Sequence, residues 1–590
     1  METKFKERLP EETIQIVTGI LDNLGLKYEF TNVVSDINGL YSCYLKISNF
    51  NFTVGGKGTS PLYAQASACG EVMERLQNLH SIKLPIQLRD GYSDFEYFPD
   101  ESVFPIGNIS SLPDEVIRDM QLYCFQYDGY TPTVSELEDI WSKKFPTMKE
   151  VPFYGVKNGI VRLPFEVVNF LTKSNGMSAG NTFNEALVQG LSEVIERYSL
   201  HNVLKGELCP PEIPVDYIKK NAPEIYEILQ YIDTDKYGLR IFDGSLGKGL
   251  PVVGILLTDK KLRKYKVKFG SHPVFRIALE RCLTELFQYN SYIYKLLRVY
   301  SKWNGETANK AKSYSNLVKC VSKNTNSFPD NFFKKKADWD FKEWEEIPDY
   351  DNAKGSKYLI DLCLRFTSDI YIREHSYSEF TALKVYLPGM NFAHTEPLTK
   401  DFHLDNYFSI QMQNLPSCIH AMSAEEKRKV IDVLTKDIAF YNRYRIKDSQ
   451  FSVTDSLVLA FLYLDLGELY NAIKEFEKSL KDCPEKDVPL ITSIIRYIEL
   501  TQQGYSFEDI EYMMGFFYKD SVLNNLKLIH EGKYYQVLFD GEGIDLATLK
   551  EGITEFTIRY KQLMKGNPIN QADLKGKIGS LGVGNSEYSS

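Results

Sequence analysis

One polar spacing occurs three times in this chain, and it constrains the fold more than any other feature of the sequence. Each copy places hydrogen-bonding side chains at positions i, i+4 and i+7, with two apolar residues before the last position. The three sets are Ser67, Glu71 and Glu74; Gln189, Glu193 and Glu196; and Arg281, Glu285 and Gln288. Because these positions share one face of a helix, the pattern predicts three helices that each carry a polar stripe.

These stripes have two interpretations, and the spacing alone leaves both open. A solvated face of an amphipathic helix explains polar side chains opposite apolar ones. It does not predict a carboxylate at the same step in all three helices, without a lysine four residues later. If the stripes meet, like charges 4 Å apart repel by about 4 kcal/mol at an effective dielectric of 20, so divalent cations are required. Oxygen ligands suit Mg²⁺, which commonly bridges carboxylates to phosphates.

Each predicted helix follows a segment that contains glycine. These segments cover residues 55–59, 174–181 and 270–273. Ser60 is the expected N-cap of the first helix, and Thr182 with Glu185 forms a predicted capping box at the second. We expect backbone N–H groups of these glycine-rich loops to reach an anion. Lys57 is followed by Gly58 rather than by Ser or Thr, which excludes a Walker A loop.

Composition excludes several other classes of protein. The 590 residues exceed one ordinary core, and 43% hydrophobic with 25% charged residues is typical of a globular protein. A net charge of −10 argues against direct nucleic-acid binding. The basic run at 260–268 is interpreted as the exposed turn and edge of a hairpin rather than a polyanion site.

The sequence also predicts the cellular environment of the protein. Its nine cysteines include no C-x-x-C pair and its eight histidines no H-E-x-x-H, which excludes the common zinc motifs. No signal core and no long apolar run occurs, so we expect neither export nor membrane insertion. We therefore expect a soluble cytoplasmic protein with reduced thiols.

Patterning predicts two domains and a tail. Strands and helices mix over residues 1–420, with a polar insertion at 302–356, and helical periodicity alone covers 423–573. Within the second region, Gly467, Ala472, Phe476 and Pro484 fit a tetratricopeptide hairpin, although an ordinary helical hairpin remains the alternative. Residues 574–590 are rich in Gly and Ser and are predicted to be disordered.

Four segments of this chain resemble the YcaO family. They are GKGTSPLYAQASACGEVMERL (56–76), SNGMSAGNTFNEALVQGLSEVIERY (174–198), HPVFRIALERCLTELFQ (272–288) and LPGM (387–390). The resemblance implies an α+β, YcaO-type ATP-binding domain with mixed or antiparallel sheets and flanking helices. An all-α, tetratricopeptide-like C-terminal domain would follow it, with ATP and Mg²⁺ as cofactors.

The resemblance also implies roles for individual residues. Five carboxylates are expected to bind metal: Glu71, Glu74, Glu193, Glu196 and Glu285. The expected nucleotide contacts are Lys6, Thr13, Ser67, Gln189 and Arg281. Lys6 and Thr13 are a weaker match, with one substitution. Arg281 and Glu285 are the predicted catalytic residues, because Arg281 would offset charge that develops during phosphoryl transfer.

Relatives with this resemblance use ATP to activate a peptide-bond oxygen, so that a thiol, hydroxyl or sulfur group displaces it. The C-terminus, GVGNSEYSS, lacks the proline-rich tail of azoline-forming members, which argues against azoline formation. The implied role is amide activation, or assistance to a radical-SAM enzyme that β-methylthiolates an aspartate of a small-subunit ribosomal protein. A scaffold with a vestigial nucleotide site, or thioamide formation with a partner protein, are the alternatives. A homodimer and a protein or peptide substrate are also implied.

Overall fold

The computed structural model of the chain describes residues 5–34, 37, 39–48, 52–79, 97–128, 131–144, 148–288, 301–302, 317, 320–321, 328–391, 423–436, 455–480, 483, 487–533, 537 and 546–583. The chain folds as two compact units. The first comprises Met1–Lys83, Ser93–Leu398 and Glu551–Ser590, and the second comprises Leu84–Tyr92 and Thr399–Lys550.

The strands of the described residues all belong to the first unit. They are β1 (Tyr28–Val34), β2 (Tyr41–Ile47), β3 (Phe52–Gly58), β4 (Ser102–Phe104), β5 (Met148–Gly155), β6 (Gly159–Pro164), β7 (Met177–Gly180), β8 (Tyr237–Asp243), β9 (Val252–Asp259), β10 (Lys264–Ser271), β11 (Ser301–Lys302), β12 (Tyr371–Glu374) and β13 (Thr381–Tyr386).

Ten described helices of the first unit lie before residue 399 in the sequence. They are α1 (Pro10–Asn23), α2 (Pro61–Gln77), α3 (Asp114–Asp128), α4 (Val134–Lys144), α5 (Phe165–Thr172), α6 (Phe183–Lys205), α7 (Val215–Asn221), α8 (Pro223–Ile232), α9 (Phe275–Phe287) and α10 (Asn352–Cys363). Short 3₁₀ segments occur at Ile106–Ser111, Asp330–Phe333 and Gln571–Asp573.

In the described part of the second unit six helices follow along the chain, and two more lie at or beyond its boundary. They are α11 (Ala424–Lys436), α12 (Asp455–Asp465), α13 (Leu469–Ser479), α14 (Val488–Gln502), α15 (Phe507–Met514), α16 (Asp520–His530), α17 (Leu546–Gly566) and α18 (Leu574–Gly579). None of the described helices has the length and apolar character needed to span a membrane.

Three sheets organise the described strands of the first unit, and every pairing in them is antiparallel. One sheet has the order β1-β2-β3, and a second has the order β11-β10-β9-β8. The third has the order β4-β5-β12-β13-β7, with β6 paired to β5. The predicted α+β class is therefore confirmed, with antiparallel sheets.

Three glycines set how closely the helices of the polar stripes approach the sheets. A Cβ on Gly56 of β3 would lie 1.9 Å from the carbonyl oxygen of Ala64 in α2. A Cβ on Gly180 would lie 2.8 Å from the backbone nitrogen of Ala186 in α6, and one on Gly270 would lie 2.6 Å from that of Cys282 in α9. Apart from Gly176, which lies in the turn before β7, the glycines of these segments lie in strands rather than in loops, which corrects the predicted anion-binding loops. Their lack of a side chain lets each helix rest directly on the preceding strand.

The second unit has its own apolar core. The rings of Phe461 in α12 and Phe476 in α13 meet edge to face with their centroids 5.2 Å apart. Ala472 is fully buried between these helices, and Gly467 ends α12 with a positive φ of 72°. These two helices form the predicted hairpin, while its assignment to the tetratricopeptide type stays a prediction.

Two parts of the predicted domain scheme need correction. Within the predicted insertion at 302–356, Phe328 and Phe332 are buried in the core of the first unit, so this part is not peripheral. Residues 303–316, 318–319 and 322–327 lie outside the described residues. The chain from Glu551 onward belongs to the first unit, although the prediction placed residues up to 573 in the helical domain. Leu574–Gly579 forms a helix with Leu574 buried, so disorder is wrong there; residues 584–590 lie outside the described residues.

We expect Gly56→Ala to destabilise the first unit by about 3 kcal/mol, because the new methyl group overlaps backbone atoms of α2 that cannot move independently. Thermal unfolding of the full chain, followed by circular dichroism, measures this change. Gly576→Ala is the control, since a Cβ there meets no atom within 4 Å and alanine favours the helix. An unchanged unfolding midpoint for Gly56→Ala would contradict the role given to this glycine.

Candidate functional site

The polar stripes of α2, α6 and α9 face a single cavity of about 670 Å³. All ten residues predicted for the site line it: Lys6, Thr13, Ser67, Glu71, Glu74, Gln189, Glu193, Glu196, Arg281 and Glu285. The three polar faces therefore meet, as the interpretation with converging carboxylates requires. The roles assigned to the individual side chains remain predictions.

Arg75 links the two carboxylates of α2. Its guanidinium lies 2.5 Å from an Oε of Glu71 and 2.8 Å from an Oε of Glu74. Burial raises the pKa of Glu74 well above its usual value, Arg75 opposes that rise, and the carboxylates of Glu71 and Glu193 add to it. Glu74 and Glu193 line the same cavity, so α2 and α6 bring carboxylates to one site.

Glu285 of α9 binds two lysines that come from different strands. Lys268 Nζ of β10 lies 2.6 Å from one of its carboxylate oxygens, and Lys57 of β3 pairs with the other. Burial raises the pKa of Glu285, but Lys268 and Lys57 outweigh burial and hold this pKa well below its usual value. Glu196 is less well compensated, since its distance to Lys268 Nζ is 3.9 Å. Burial and the charge of Glu285 both raise the pKa of Glu196.

Arg281 and Gln189 form a direct contact across the cavity. Arg281 Nη1 donates a hydrogen bond of 2.7 Å to Gln189 Oε1, which joins α9 to α6. His272 lies nearby and is buried, and its Nδ1 accepts a hydrogen bond of 3.0 Å from the backbone N–H of Val274. Burial and then the charge of Arg281 lower the pKa of His272 well below its usual value. The imidazole is therefore neutral at physiological pH and adds no charge to this side of the cavity.

The N-terminal segment reaches the cavity through Glu185. Lys6 Nζ lies 3.0 Å from Glu185 Oε1, and the backbone N–H of Glu7 donates to Glu185 Oε2 at 3.2 Å. Thr182 caps α6 as predicted, by accepting from the backbone N–H of Glu185 at 3.2 Å. The Glu185 side chain binds Lys6 and Glu7 rather than the backbone N–H of Thr182, so the reciprocal bond of the predicted capping box is wrong. Thr13 is fixed from the same region by a 3.0 Å hydrogen bond to Asn181.

The basic run at 260–268 is only partly the exposed turn that the sequence predicts. Residues 260–263 form that turn between β9 and β10, but Lys266 and Lys268 line the cavity. Strand β10 pairs with β9 along its whole length, and its first two residues also pair with β11. Burial and the neighbouring charge of Lys268 lower the pKa of Lys266 to about 8. The prediction of an exposed edge is therefore wrong for these two lysines.

The charges that line the cavity suit an anion that is bound with a metal ion. Seven glutamates and nine lysine or arginine side chains line it, so its surplus of positive charge matches a net negative ligand. Lysines from two strands also supply positive charge that the predicted helical spacing did not contain. Lys57 and Lys268 reach the glutamates from strands, while Arg75 and Arg197 reach them from α2 and α6 themselves.

Among the described residues, no group of three or more His, Cys, Asp or Glu side chains has the arrangement of a preformed metal site. The fit to Mg²⁺ therefore rests on the chemistry of the carboxylates. The donors are all carboxylate oxygens, which Mg²⁺ prefers. Burial raises the pKa values of Glu74, Glu193 and Glu196, so the cations of the protein do not fully offset their charge. A divalent cation would offset the remainder. The residues that fit this role are Glu71, Glu74, Glu193, Glu196 and Glu285.

Sequence reasoning missed several residues that contribute to the site. Lys57 lies in the segment GGKGT, which suggests only a Walker A loop and does not fit that motif. Lys268 alternates with apolar residues in β10, which is the signal of a strand with one face in a site. Asn352 lies in the predicted insertion, yet it lines the cavity and donates a hydrogen bond of 2.9 Å to Glu7. No local pattern identifies that contact.

Two curated proteins match this chain over the same number of residues. The chain is 29% identical over 393 residues to the "Ribosomal protein S12 methylthiotransferase accessory factor YcaO" of Escherichia coli. It is 28% identical over 393 residues to an uncharacterized protein of Haemophilus influenzae. Each match covers 65% of this chain and 65% of the relative, so the chain matches slightly less than two thirds of either relative's length.

Comparison with solved structures gives more distant similarities. A structure of YcaO from Methanopyrus kandleri bound with AMPPCP and Mg²⁺ is 18% identical, covers 65% of this chain and 92% of that chain, and gives a TM-score of 0.40. A heterocyclase in complex with substrate and cofactor is 16% identical, covers 66% of this chain and 53% of that chain, and gives a TM-score of 0.47.

The family model described as "YcaO cyclodehydratase", ATP- and Mg²⁺-binding, matches residues 55–391. This range includes α2, α6 and α9, and thus every predicted site residue except Lys6 and Thr13. The predicted cofactors, ATP and Mg²⁺, are the ones that this description names. Because the model matches more than half of the sequence, the chain belongs to the YcaO family.

Proposed function

We propose that this chain binds Mg-ATP in the cavity and uses it to activate a peptide amide of a protein substrate. The observation that carries the proposal is the convergence of ten predicted residues, from three helices and the N-terminal segment, on one cavity. The mixture of buried carboxylates and buried cations supports a ligand that combines phosphates with a metal ion. Membership of a family described as ATP- and Mg²⁺-binding supports the same ligand.

The proposed reaction turns a poor leaving group into a good one. The amide oxygen of the substrate attacks a phosphorus atom of ATP, a new P–O bond forms, and the bond to the leaving phosphate oxygen of ATP breaks. A thiol, hydroxyl or sulfur nucleophile then adds to the amide carbon, and the phosphorylated oxygen departs with its bonding electrons. A bound Mg²⁺ supplies charge stabilisation to the phosphate oxygens.

The side chains of the chain supply binding and charge stabilisation for this reaction. Arg281, oriented by its hydrogen bond to Gln189, is placed to offset negative charge on a transferred phosphoryl group. Ser67 precedes the α2 carboxylates by one helical turn and lines the same cavity. Lys6 and Thr13 bring the N-terminal segment to the nucleotide. His272 is neutral and adds no positive charge beside Arg281.

We further propose that the chain assists a radical-SAM enzyme in β-methylthiolation of an aspartate in a small-subunit ribosomal protein. The name of the Escherichia coli relative supports this role. Activation of an amide and assistance to a partner enzyme both require a protein substrate. The helical second unit, which has its own core, is proposed to be tetratricopeptide-like and to contact such proteins. A homodimer is part of the same proposal.

We expect Glu193→Gln to weaken Mg-ATP binding at least about tenfold, because a neutral amide replaces a carboxylate that would hold Mg²⁺. Isothermal titration of the full chain with Mg²⁺ and a non-hydrolysable ATP analogue measures the affinity. Glu499→Gln is the control, since Glu499 forms only an exposed ion pair with Arg496 in the second unit. Equal affinity for Glu193→Gln and wild type would refute the metal assignment.

Substitution of the predicted catalytic arginine separates chemistry from binding. We expect Arg281→Ala to lower the rate of ATP turnover by roughly 100- to 1,000-fold, because charge on the transferred phosphoryl group is no longer offset. Steady-state phosphate release with saturating Mg-ATP measures it. Arg496→Ala, at an exposed ion pair, should keep the wild-type rate. A wild-type rate for Arg281→Ala would exclude this residue from the reaction.

A test of the accessory role distinguishes an enzyme from a scaffold. In a reconstituted β-methylthiolation reaction with the radical-SAM enzyme and the ribosomal protein, we expect Glu71→Ala to stimulate no more than buffer does. The mass of the intact ribosomal protein reports the modification. If Glu71→Ala stimulates as well as wild type while Glu193→Gln abolishes Mg-ATP binding, the nucleotide site is vestigial and the chain acts as a scaffold.

A further inference from the structure

The second unit carries an exposed surface of aromatic and acidic side chains, which we define by Glu508, Glu511, Tyr512, Phe516 and Phe517. The side chains of Tyr512, Phe516 and Phe517 are 73%, 70% and 85% exposed. Phe516 and Phe517 are the only phenylalanines among the described residues that are exposed to this degree. Three aromatic rings exposed within six residues of sequence depart from the scattered single apolar residues of an ordinary surface.

Hydrogen bonds and buried anchors fix the backbone that presents this surface. The N–H of Gly515 donates to the carbonyl of Glu511 at 2.9 Å, and the N–H groups of Phe517 and Tyr518 donate to Met514, each at 3.0 Å. Met514 is itself buried in the core of the second unit. The rings of Tyr512 and Phe516 meet edge to face with centroids 5.3 Å apart. The backbone of this surface and the Tyr512–Phe516 ring pair are therefore preorganised, which lowers the entropic cost of binding.

Two carboxylates lie beside these rings. Glu508, Glu511 and Tyr512 occupy positions i, i+3 and i+4 of α15 and so share one face of the helix. Among the described residues, neither Glu508 nor Glu511 has a lysine or arginine within ion-pair distance. Both glutamates are exposed. The surface thus combines an apolar centre with negative charge that no lysine or arginine of the described residues pairs.

We propose that this aromatic and acidic surface binds an arginine-rich segment of a partner protein. A guanidinium group both stacks on an aromatic ring and pairs with a carboxylate, so arginine satisfies both parts of the surface at once. A nucleic acid would be repelled by the glutamates. A second copy of this chain, docked through the same surface, would bring Glu508 and Glu511 against like charges. The proposal is independent of the chemistry at the cavity.

The test uses the full chain and a fluorescein-labelled peptide in which arginine and leucine alternate, with fluorescence anisotropy as the readout. We expect the double variant Phe516→Ser, Phe517→Ser to bind about tenfold more weakly, because it loses both aromatic anchors. Glu508→Gln with Glu511→Gln should also weaken binding, and added salt should reduce the difference from wild type. A peptide with lysine in place of arginine should bind less well, since an ammonium group lacks the planar fork that stacks on a ring and pairs with a carboxylate in two bonds.

Control variants separate this surface from the general negative charge of the chain. Tyr470→Ser and Glu477→Gln alter an exposed aromatic and an exposed acidic side chain of α13, and both should bind the peptide as wild type does. Equal binding by wild type and the double phenylalanine variant would overturn the proposal, as would no binding by wild type. Sedimentation of the chain alone supplies a third outcome: if the double phenylalanine variant dissociates a dimer, a second copy occupies the surface and the proposal fails.

Discussion

The close packing of three helices on three strand glycines is the constraint on which the site depends. Without a Cβ at Gly56, Gly180 and Gly270, the backbone of each helix lies directly on the strand that precedes it. This contact fixes how closely each helix approaches its strand and which face of the helix points away from that strand. Because the same polar spacing recurs on α2, α6 and α9, fixing three helices in this way directs three polar stripes into one cavity. The glycines thus act through packing rather than through anion binding.

Once the stripes meet, charge becomes the dominant problem in the cavity. Buried carboxylates are stable only with partners, and the chain supplies these both from the same helices, through Arg75 and Arg197, and from strands, through Lys57 and Lys268. Glu285 receives two lysines and has a lowered pKa, whereas Glu74, Glu193 and Glu196 have raised pKa values. The compensation is therefore uneven. Among the five carboxylates that fit a divalent cation, Glu285 receives the most compensation from the protein, and Glu74, Glu193 and Glu196 keep more charge for the cation to offset.

The sequence predicts the local features of this site and misses the nonlocal ones. Helical periodicity and capping residues are local, so the three stripes and the caps at Ser60 and Thr182 are recovered from spacing alone. The Glu185 side chain has the pattern of a capping box, but binding to Lys6 competes with the cap, and Lys6 lies 179 positions away. The lysines of β10 have the pattern of an exposed edge, because no local pattern shows that Lys266 and Lys268 line a cavity built from helices distant in sequence. The same limit applies to Phe328 and Leu574, whose burial depends on partners distant in sequence.

Glu185 connects the stability of the site to its assembly. Burial raises its pKa, but Lys6, the backbone N–H of Glu7 and Asn181 outweigh burial, so the folded-state pKa is lower than the unfolded one. The carboxylate therefore stabilises the folded state above the unfolded pKa, and this contribution is lost as pH falls through the folded pKa. These partners join the start of α6 to the N-terminal segment, and Glu7 extends the network to Asn352. The cavity is thus completed only when three parts of the chain, far apart in sequence, fold together.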